Sequence, residues 1–159
     1  MPGRLLSELK QTKPFATLET EAILNLQKTM DVIGQHLEAL LKPHNISGTQ
    51  YNVLRILRGA GTDGLKCSEI GERMVTHDPD ITRLLDRVEK HGLISRAREE
   101  KDRRVVRTRI TRAGLELLER MDKPVEEGAR RVLGHLGHDR LTQLIGLLEA
   151  ARDFHQETT

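Results

Sequence analysis

From Thr17 onward, apolar residues fall at Leu18, Ala22, Leu26, Met30, Ile33, Leu37 and Leu40, with Ile23 and Leu41 widening the stripe. Steps of three and four trace one face of an amphipathic helix of about seven turns, stopped by Pro43. Ser47-Gly48-Thr49-Gln50 has the form of a capping box, in which a hydroxyl and an amide each satisfy an orphan backbone N–H. The helix behind it presents Val53, Leu54, Ile56 and Leu57 and ends near Gly59 and Gly61. Cys67, Ile70 and Met74 mark one face of a short helix from about Lys66 to Val75, with Thr76 and His77 as a turn.

Asp78-Pro79 suits a helix start, Asp as N-cap and Pro at the first helical position. Ile81, Leu84, Leu85 and Val88 follow at i, i+3, i+4 and i+7, a buried stripe that Gly92 closes. Two strands are predicted around Leu93 to Arg98 and Val105 to Ile110, the second alternating with period two. Glu99 to Arg104, all charged, form a solvated hairpin tip. Thr111 caps another long helix carrying Leu115, Leu118, Met121, Val125, Ala129, Val132 and Leu136, with a kink expected at Pro124. Gly134 and Gly137 separate it from a last helix with Leu141, Leu144, Ile145, Leu148 and Ala151.

The order predicts a mainly α fold with a small β-wing: a winged helix-turn-helix flanked by N- and C-terminal dimerisation helices. Residues 1–16 are read as a loose arm, 17–45 and 111–157 as the dimerisation helices, and 46–110 as the DNA-binding lobe. The outer helices carry more apolar surface than one copy covers, so they pair with each other and with a second subunit.

Charge sharpens this reading. The net charge of +2 conceals twelve Lys/Arg against seven Asp/Glu between Arg73 and Arg112, a net of +5, with −3 over the remainder. A basic middle on a mildly acidic scaffold suits a polyanion. Three aromatics and no Trp argue against single-strand binding by base stacking. A single cysteine forms no internal disulfide and no four-cysteine zinc site. No apolar run approaches the ~20 residues of a membrane span, so the expectation is a reduced, cytoplasmic protein.

On the helix after Asp78, removing the buried stripe leaves Asp80, Thr82, Arg83, Asp86, Arg87 and Lys90 exposed. Arg pairs with guanine O6 and N7 in a major groove, and Thr reaches a base edge or a thymine methyl. Thr82 and Arg83 lie in the turns that would enter the groove. Asp86 and Arg87 lie deeper, suited to DNA contact or to a local ion pair. At the hairpin tip, Arg103 or Arg104 suits a narrow minor groove, with Asp102 holding one guanidinium. Arg96, Arg98, Arg107 and Arg109 along the ribbon suit flanking phosphates.

Ile81-Thr82-Arg83-Leu84-Leu85-Asp86-Arg87-Val88-Glu89-Lys90-His91-Gly92-Leu93-Ile94, Lys101-Asp102-Arg103-Arg104 and Ile110-Thr111-Arg112-Ala113-Gly114, in that order, resemble the MarR family of bacterial transcription regulators. Leu65 to Gly71 resembles the family's third helix. The resemblance implies a homodimer on double-stranded DNA, each subunit presenting its recognition helix to a pseudo-palindromic operator. It matches Arg104 to the wing-tip arginine, Asp102 to the acid that orients it, Thr82 and Arg83 to base-contacting positions, and Ser68 to a phosphate contact. It also implies relief by a small aromatic or phenolic effector bound between the dimerisation helices and the DNA-binding lobe, where His36 or His44 falls close by. Two departures stand out. Lys66 replaces the usual capping Thr, and Asp78 with Asp80 places two acids where phosphates approach, predicting modest or strongly salt-dependent affinity.

Redox sensing through Cys67 conflicts with its place on an apolar stripe. The pair His135 and His138, with Glu126, Glu127 and His155 as further ligands, lacks a third ligand fixed by spacing. No metal or cofactor is therefore expected, although a redox- or metal-responsive regulator remains an alternative reading. Catalysis finds no phosphate loop, nucleophile elbow or zinc spacing. A winged helix reduced to a protein-interaction module would need an apolar recognition helix, which Thr82, Arg83 and Arg87 contradict.

Overall fold

The computed structural model describes residues 4–99 and 102–153. It contains α1 (Arg4–Glu8), α2 (Leu18–Leu41), α3 (Gly48–Ala60), α4 (Cys67–Arg73), α5 (Ile81–Lys90), β1 (Ile94–Arg98), β2 (Val106–Ile110), α6 (Arg112–Leu133) and α7 (Gly137–Ala150). The arm differs from its expected looseness: α1 buries Leu5 and carries an Arg4–Glu8 ion pair. Two adjacent leucines in little more than one helical turn, of which only Leu5 is buried, leave no period to read. The charged hairpin tip is described only in part, since 100 and 101 lie outside the described residues.

Local chemistry sets most of the boundaries. Thr17 accepts the Thr20 N–H to start α2. Ser47 Oγ accepts the Gln50 N–H at 3.2 Å while Gln50 Oε1 accepts the Ser47 N–H at 2.9 Å, so the capping box before α3 is complete. Lys66 has no side-chain acceptor to offer α4; instead Glu69 Oε2 accepts the Lys66 N–H at 2.7 Å, one half of a capping box. Gly92, at φ +71°, ends α5: its N–H reaches the Glu89 carbonyl and the Leu93 N–H reaches the Val88 carbonyl, the paired bonds of a Schellman motif.

The start of α5 corrects the sequence reading. The N-cap is Asp80, not Asp78. Asp78 Oδ1 accepts the Asp80 N–H at 2.9 Å, and Asp80 Oδ1 accepts the Arg83 N–H at 3.0 Å. Both aspartates satisfy backbone donors, but only Asp80 takes its donor from inside α5, the Arg83 N–H, whereas Asp78 takes the N–H of Asp80 before the helix begins. Further on, α6 passes unbroken through Pro124 and stops at Leu133; Leu136 belongs to a separate 3₁₀ turn.

The core lies inside the winged lobe and on the near side of α6. Val53, Leu54 and Leu57 of α3, Ile70 of α4, and Leu84, Leu85 and Val88 of α5 close on Ile94, Leu118 and Met121. Each such side chain contributes roughly 1.5–3 kcal/mol on leaving water. β1 and β2 pair antiparallel, Ile94 opposite Ile110 and Arg98 opposite Val106. A further bridge, Leu65 to Thr108, ties the segment before α4 to the ribbon through bonds of 3.0 and 2.8 Å. Gly64 permits it, since a Cβ there would lie 2.5 Å from the Thr108 carbonyl.

The Ile110-Thr111-Arg112-Ala113-Gly114 motif acquires a physical reason. Thr111 Oγ1 donates to the Gly92 carbonyl at 2.7 Å and accepts the Gly114 N–H, pinning the start of α6 to the end of α5. Gly114 allows the Leu93 carbonyl to approach where a Cβ would come within 2.4 Å of it.

The outer helices are solvated on faces that should not be. α7 buries no residue, although it carries Leu141, Leu144, Ile145, Leu147 and Leu148. On α2 only Leu41 is buried, while Leu18, Ile23, Leu26 and Met30 are exposed.

Candidate nucleic-acid interface

The helix-turn-helix is formed by α4 and α5. Asn52 of α3 fixes the turn between them, its Oδ1 accepting the Val75 N–H at 2.9 Å. With Leu84, Leu85 and Val88 buried, α5 turns Thr82, Arg83, Asp86, Arg87 and Lys90 to solvent. Arg83 is 79% exposed, its Nε 3.9 Å from Asp80 Oδ2. Arg87 Nε donates to the Arg83 carbonyl at 3.3 Å. Thr82 Oγ1 lies 3.9 Å from the Sγ of half-buried Cys67, at the joint between α4 and α5. Ser68 is exposed on the first turn of α4.

At the wing tip, Arg103 and Arg104 are exposed. Among the described residues Asp102 holds no guanidinium; its Oδ1 accepts the backbone N–H of Arg104 at 3.0 Å, shaping the turn. The acid therefore positions the arginine through the main chain, whose amide lies only two residues along.

The ribbon arginines are a clear departure from expectation. Arg96 of β1 donates to Glu89 from its backbone N–H at 2.9 Å, from Nε at 2.9 Å and from Nη2 at 2.7 Å, and Nη2 also meets Asp86. Asp86 is thus engaged by the ribbon and not by Arg87. Arg107 bonds Glu99 and the Gly64 carbonyl, and Arg109 Nε donates to the Thr62 carbonyl at 2.9 Å. Three of the four therefore fasten the wing to the lobe, leaving only Arg98 among them exposed without such a bond among the described residues. Glu99 accordingly belongs to the base of the wing and not to a solvated tip. The Arg96 guanidinium holds the Glu89 carboxyl below its ordinary value, against a smaller opposing cost of burial.

A second fastening joins the lobe to the scaffold. Arg58 of α3 makes a bidentate pair with Asp122 of α6, at 2.8 and 2.9 Å, and holds that carboxyl below its ordinary value. Nothing in sequence spacing signals it, because 64 residues separate the partners.

Two concavities lie along α2. An open cleft of about 610 Å³ runs between α2 and the lobe, lined by Gln35, Glu38, Lys42, Ser47, Gln50 and His91. A smaller apolar cavity of about 220 Å³ between α2 and α6 has His36 as its polar member, with Ile33, Leu37, Val125 and Val132 around it. His44 sits in the 3₁₀ turn after α2. His135 and His138 are exposed, and no three His, Cys, Asp or Glu side chains converge to hold a metal among the described residues. His155 lies outside the described residues. No described helix is long and apolar enough to cross a membrane.

A helix-turn-helix, a two-stranded wing fastened to it, and solvent-facing arginines on the second helix and wing tip define the winged helix-turn-helix class of DNA-binding proteins. A family model described as the MarR family matches residues 46–106. The HTH-type transcriptional repressor IacR of Pseudomonas putida is 31% identical over 125 residues, 79% of this chain and 72% of its own. A crystal structure of a MarR transcription factor from Planctomyces limnophilus is 40% identical, with a TM-score of 0.66, over 86% of this chain and 98% of that one. A mutant Escherichia coli MarR crystallised with operator DNA shares the fold at a TM-score of 0.75 and 23% identity, covering 86% and 99%. The chain belongs to the MarR family of transcriptional regulators.

Proposed function

We propose that the protein is a homodimeric repressor that binds a pseudo-palindromic operator and releases it when a small aromatic acid or phenol occupies the cleft beside α2. The observation that carries the DNA reading is the division among the arginines. Three of the four ribbon arginines brace the wing, whereas Arg83, Arg87, Arg103 and Arg104 keep their charge in solvent on the recognition helix and wing tip. Thr82, Arg83 and Arg87 address base edges and nearby phosphates in the major groove, Arg103 and Arg104 the minor groove, Asp102 shapes the tip, and Ser68 meets a phosphate. Dimerisation is supported by α7, a 14-residue helix that buries nothing of its own; isolated helices of that length are marginal in water.

The effector reading is supported by where the cleft lies. Lys42 offers a cation to a carboxylate or phenolate, and His91 caps the end of α5. A ligand bridging α2 and the end of the recognition helix biases the spacing of the two lobes, provided it binds the DNA-incompetent spacing better. Benzoate-type acids are expected to raise the melting temperature and to release DNA. An acid that stabilises the protein equally with and without DNA would remove the effector role.

Arg104→Ala tests the DNA reading. In a mobility-shift assay at fixed salt, the variant is expected to lose about 1–3 kcal/mol of operator affinity while sedimenting as the wild type does. Unchanged affinity would remove the wing tip from the interface.

A further inference from the structure

We infer that Asp80 and Arg83 act as one reading head that selects a G·C pair in each half of the operator. The inference rests on the DNA-binding reading above. Asp80 is the N-cap of the recognition helix and Arg83 stands one turn further on. Asp80 Oδ1 accepts the Arg83 N–H at 3.0 Å, which holds the carboxylate at the start of the helix. Its other oxygen, Oδ2, lies 3.9 Å from Arg83 Nε, and both side chains are solvent-facing, 56% and 79% exposed. Asp78 holds the Asp80 backbone from the other side through the Asp80 N–H at 2.9 Å. A carboxylate and a guanidinium therefore stand side by side on the turn that enters a major groove first.

Such a pair has a defined complement. Across the major groove, a G·C pair presents the acceptors N7 and O6 of guanine and then the N4 amino donor of cytosine. The guanidinium supplies donors for guanine, and Asp80 Oδ2 accepts from cytosine N4. An A·T pair keeps the N7 acceptor but sets its N6 donor against the guanidinium and its O4 acceptor against the carboxylate, so one guanidinium bond is lost and the carboxylate contact turns repulsive. An acid at this position also repels the phosphates of every sequence alike. That repulsion is offset only where a cytosine amino group is present, so Asp80 lowers overall affinity while widening the ratio between right and wrong sites.

The test uses the full chain and a random-sequence duplex library, followed by affinity measurements on the selected duplex and on one with its G·C pair changed to A·T. Wild type is expected to select a G·C pair in each half-site and to lose about tenfold on the altered duplex. Asp80→Ser keeps a capping oxygen but is too short to reach a base. It is expected to bind the two duplexes within about twofold of each other and to bind unrelated DNA more tightly than wild type. Asp80→Asn, which also caps, is expected to select a different base pair at that position, and thermal melts confirm that both variants fold. Wild-type discrimination retained by both variants would overturn the inference, as would a uniform loss of affinity for all DNA, the mark of a purely structural cap. A wild-type protein that selects no motif would overturn the operator reading itself and this inference with it.

Discussion

Leu26→Glu combined with Ile145→Glu is expected to yield a monomer whose winged lobe stays folded and whose operator affinity falls by about 10²–10⁴-fold. Both positions are exposed apolar residues, Leu26 on α2 and Ile145 on α7. A buried carboxylate without a partner is costly enough to disrupt a dimer interface. The lobe has its own core, from Ile46 through Val53, Leu54, Leu57, Leu84, Leu85 and Val88 to Ile94, and uses neither substituted residue. The fall in DNA binding comes from linkage: with two lobes joined, the second half-site is engaged at high effective concentration, and a monomer loses that gain without losing a protein–DNA contact. Sedimentation velocity and operator titration read the two effects separately. A variant that remains dimeric at micromolar concentration would place the subunit interface elsewhere.

The second large effect is expected from Arg96→Ala. Arg96 supplies three hydrogen bonds to Glu89 and one to Asp86, so loss of its guanidinium leaves two carboxylates on the flank of α5 without their cation. One of the three comes from the backbone and survives the substitution. The guanidinium is only 24% exposed, but Glu89 and Asp86 are wetter. The loss of folding stability is accordingly held to about 1 kcal/mol by solvent screening. The loss in DNA binding is larger, roughly tenfold or more, because the freed charges face the phosphates and the wing is no longer held at a set angle to the helix. Arg96→Lys restores charge without the planar fork and is expected to recover only part of the affinity.

Acidity gives an independent check on the same latch. The Glu89 carboxyl is held below its ordinary value of 4.5 by Arg96. A lowered folded-state pKa contributes stability that is fully present above 4.5 and is lost as pH falls through the folded value. The gap in melting temperature between wild type and Arg96→Ala is therefore expected to close as the pH is lowered below 4.5. A gap that persists unchanged in acid would mean that Arg96 stabilises the lobe by packing alone.

Much of this architecture is legible in the amino-acid sequence alone. The stripe Leu84, Leu85, Val88 located the recognition helix, the Ser47–Gln50 box opened α3, and Gly92 closed α5. Period-two alternation located β2. Each of these signals is local, because helical and strand periods arise within a few residues and caps act across three. The helical period already turns Arg83 and Arg87 to solvent, and the charged hairpin does the same for Arg103 and Arg104; along the ribbon, however, the charge count between Arg73 and Arg112 gives no sign of which arginines meet solvent.

Tertiary packing made that choice. Arg96 sits seven and ten residues from Glu89 and Asp86, Arg109 47 residues from Thr62, and Arg58 64 residues from Asp122. No periodicity links such pairs, so their bonds exist only once the ribbon folds against α5 and α3 against α6. The same holds for Gly114 and Gly64, whose missing side chains matter only because Leu93 and Thr108 present carbonyls to them. Chain order and hydrophobic period determined the winged helix and its long flanking helices, since burial is dictated residue by residue. Which charges fasten the protein and which remain for a polyanion was decided by three-dimensional neighbourhood, because an ion pair depends on distance in space and not along the chain.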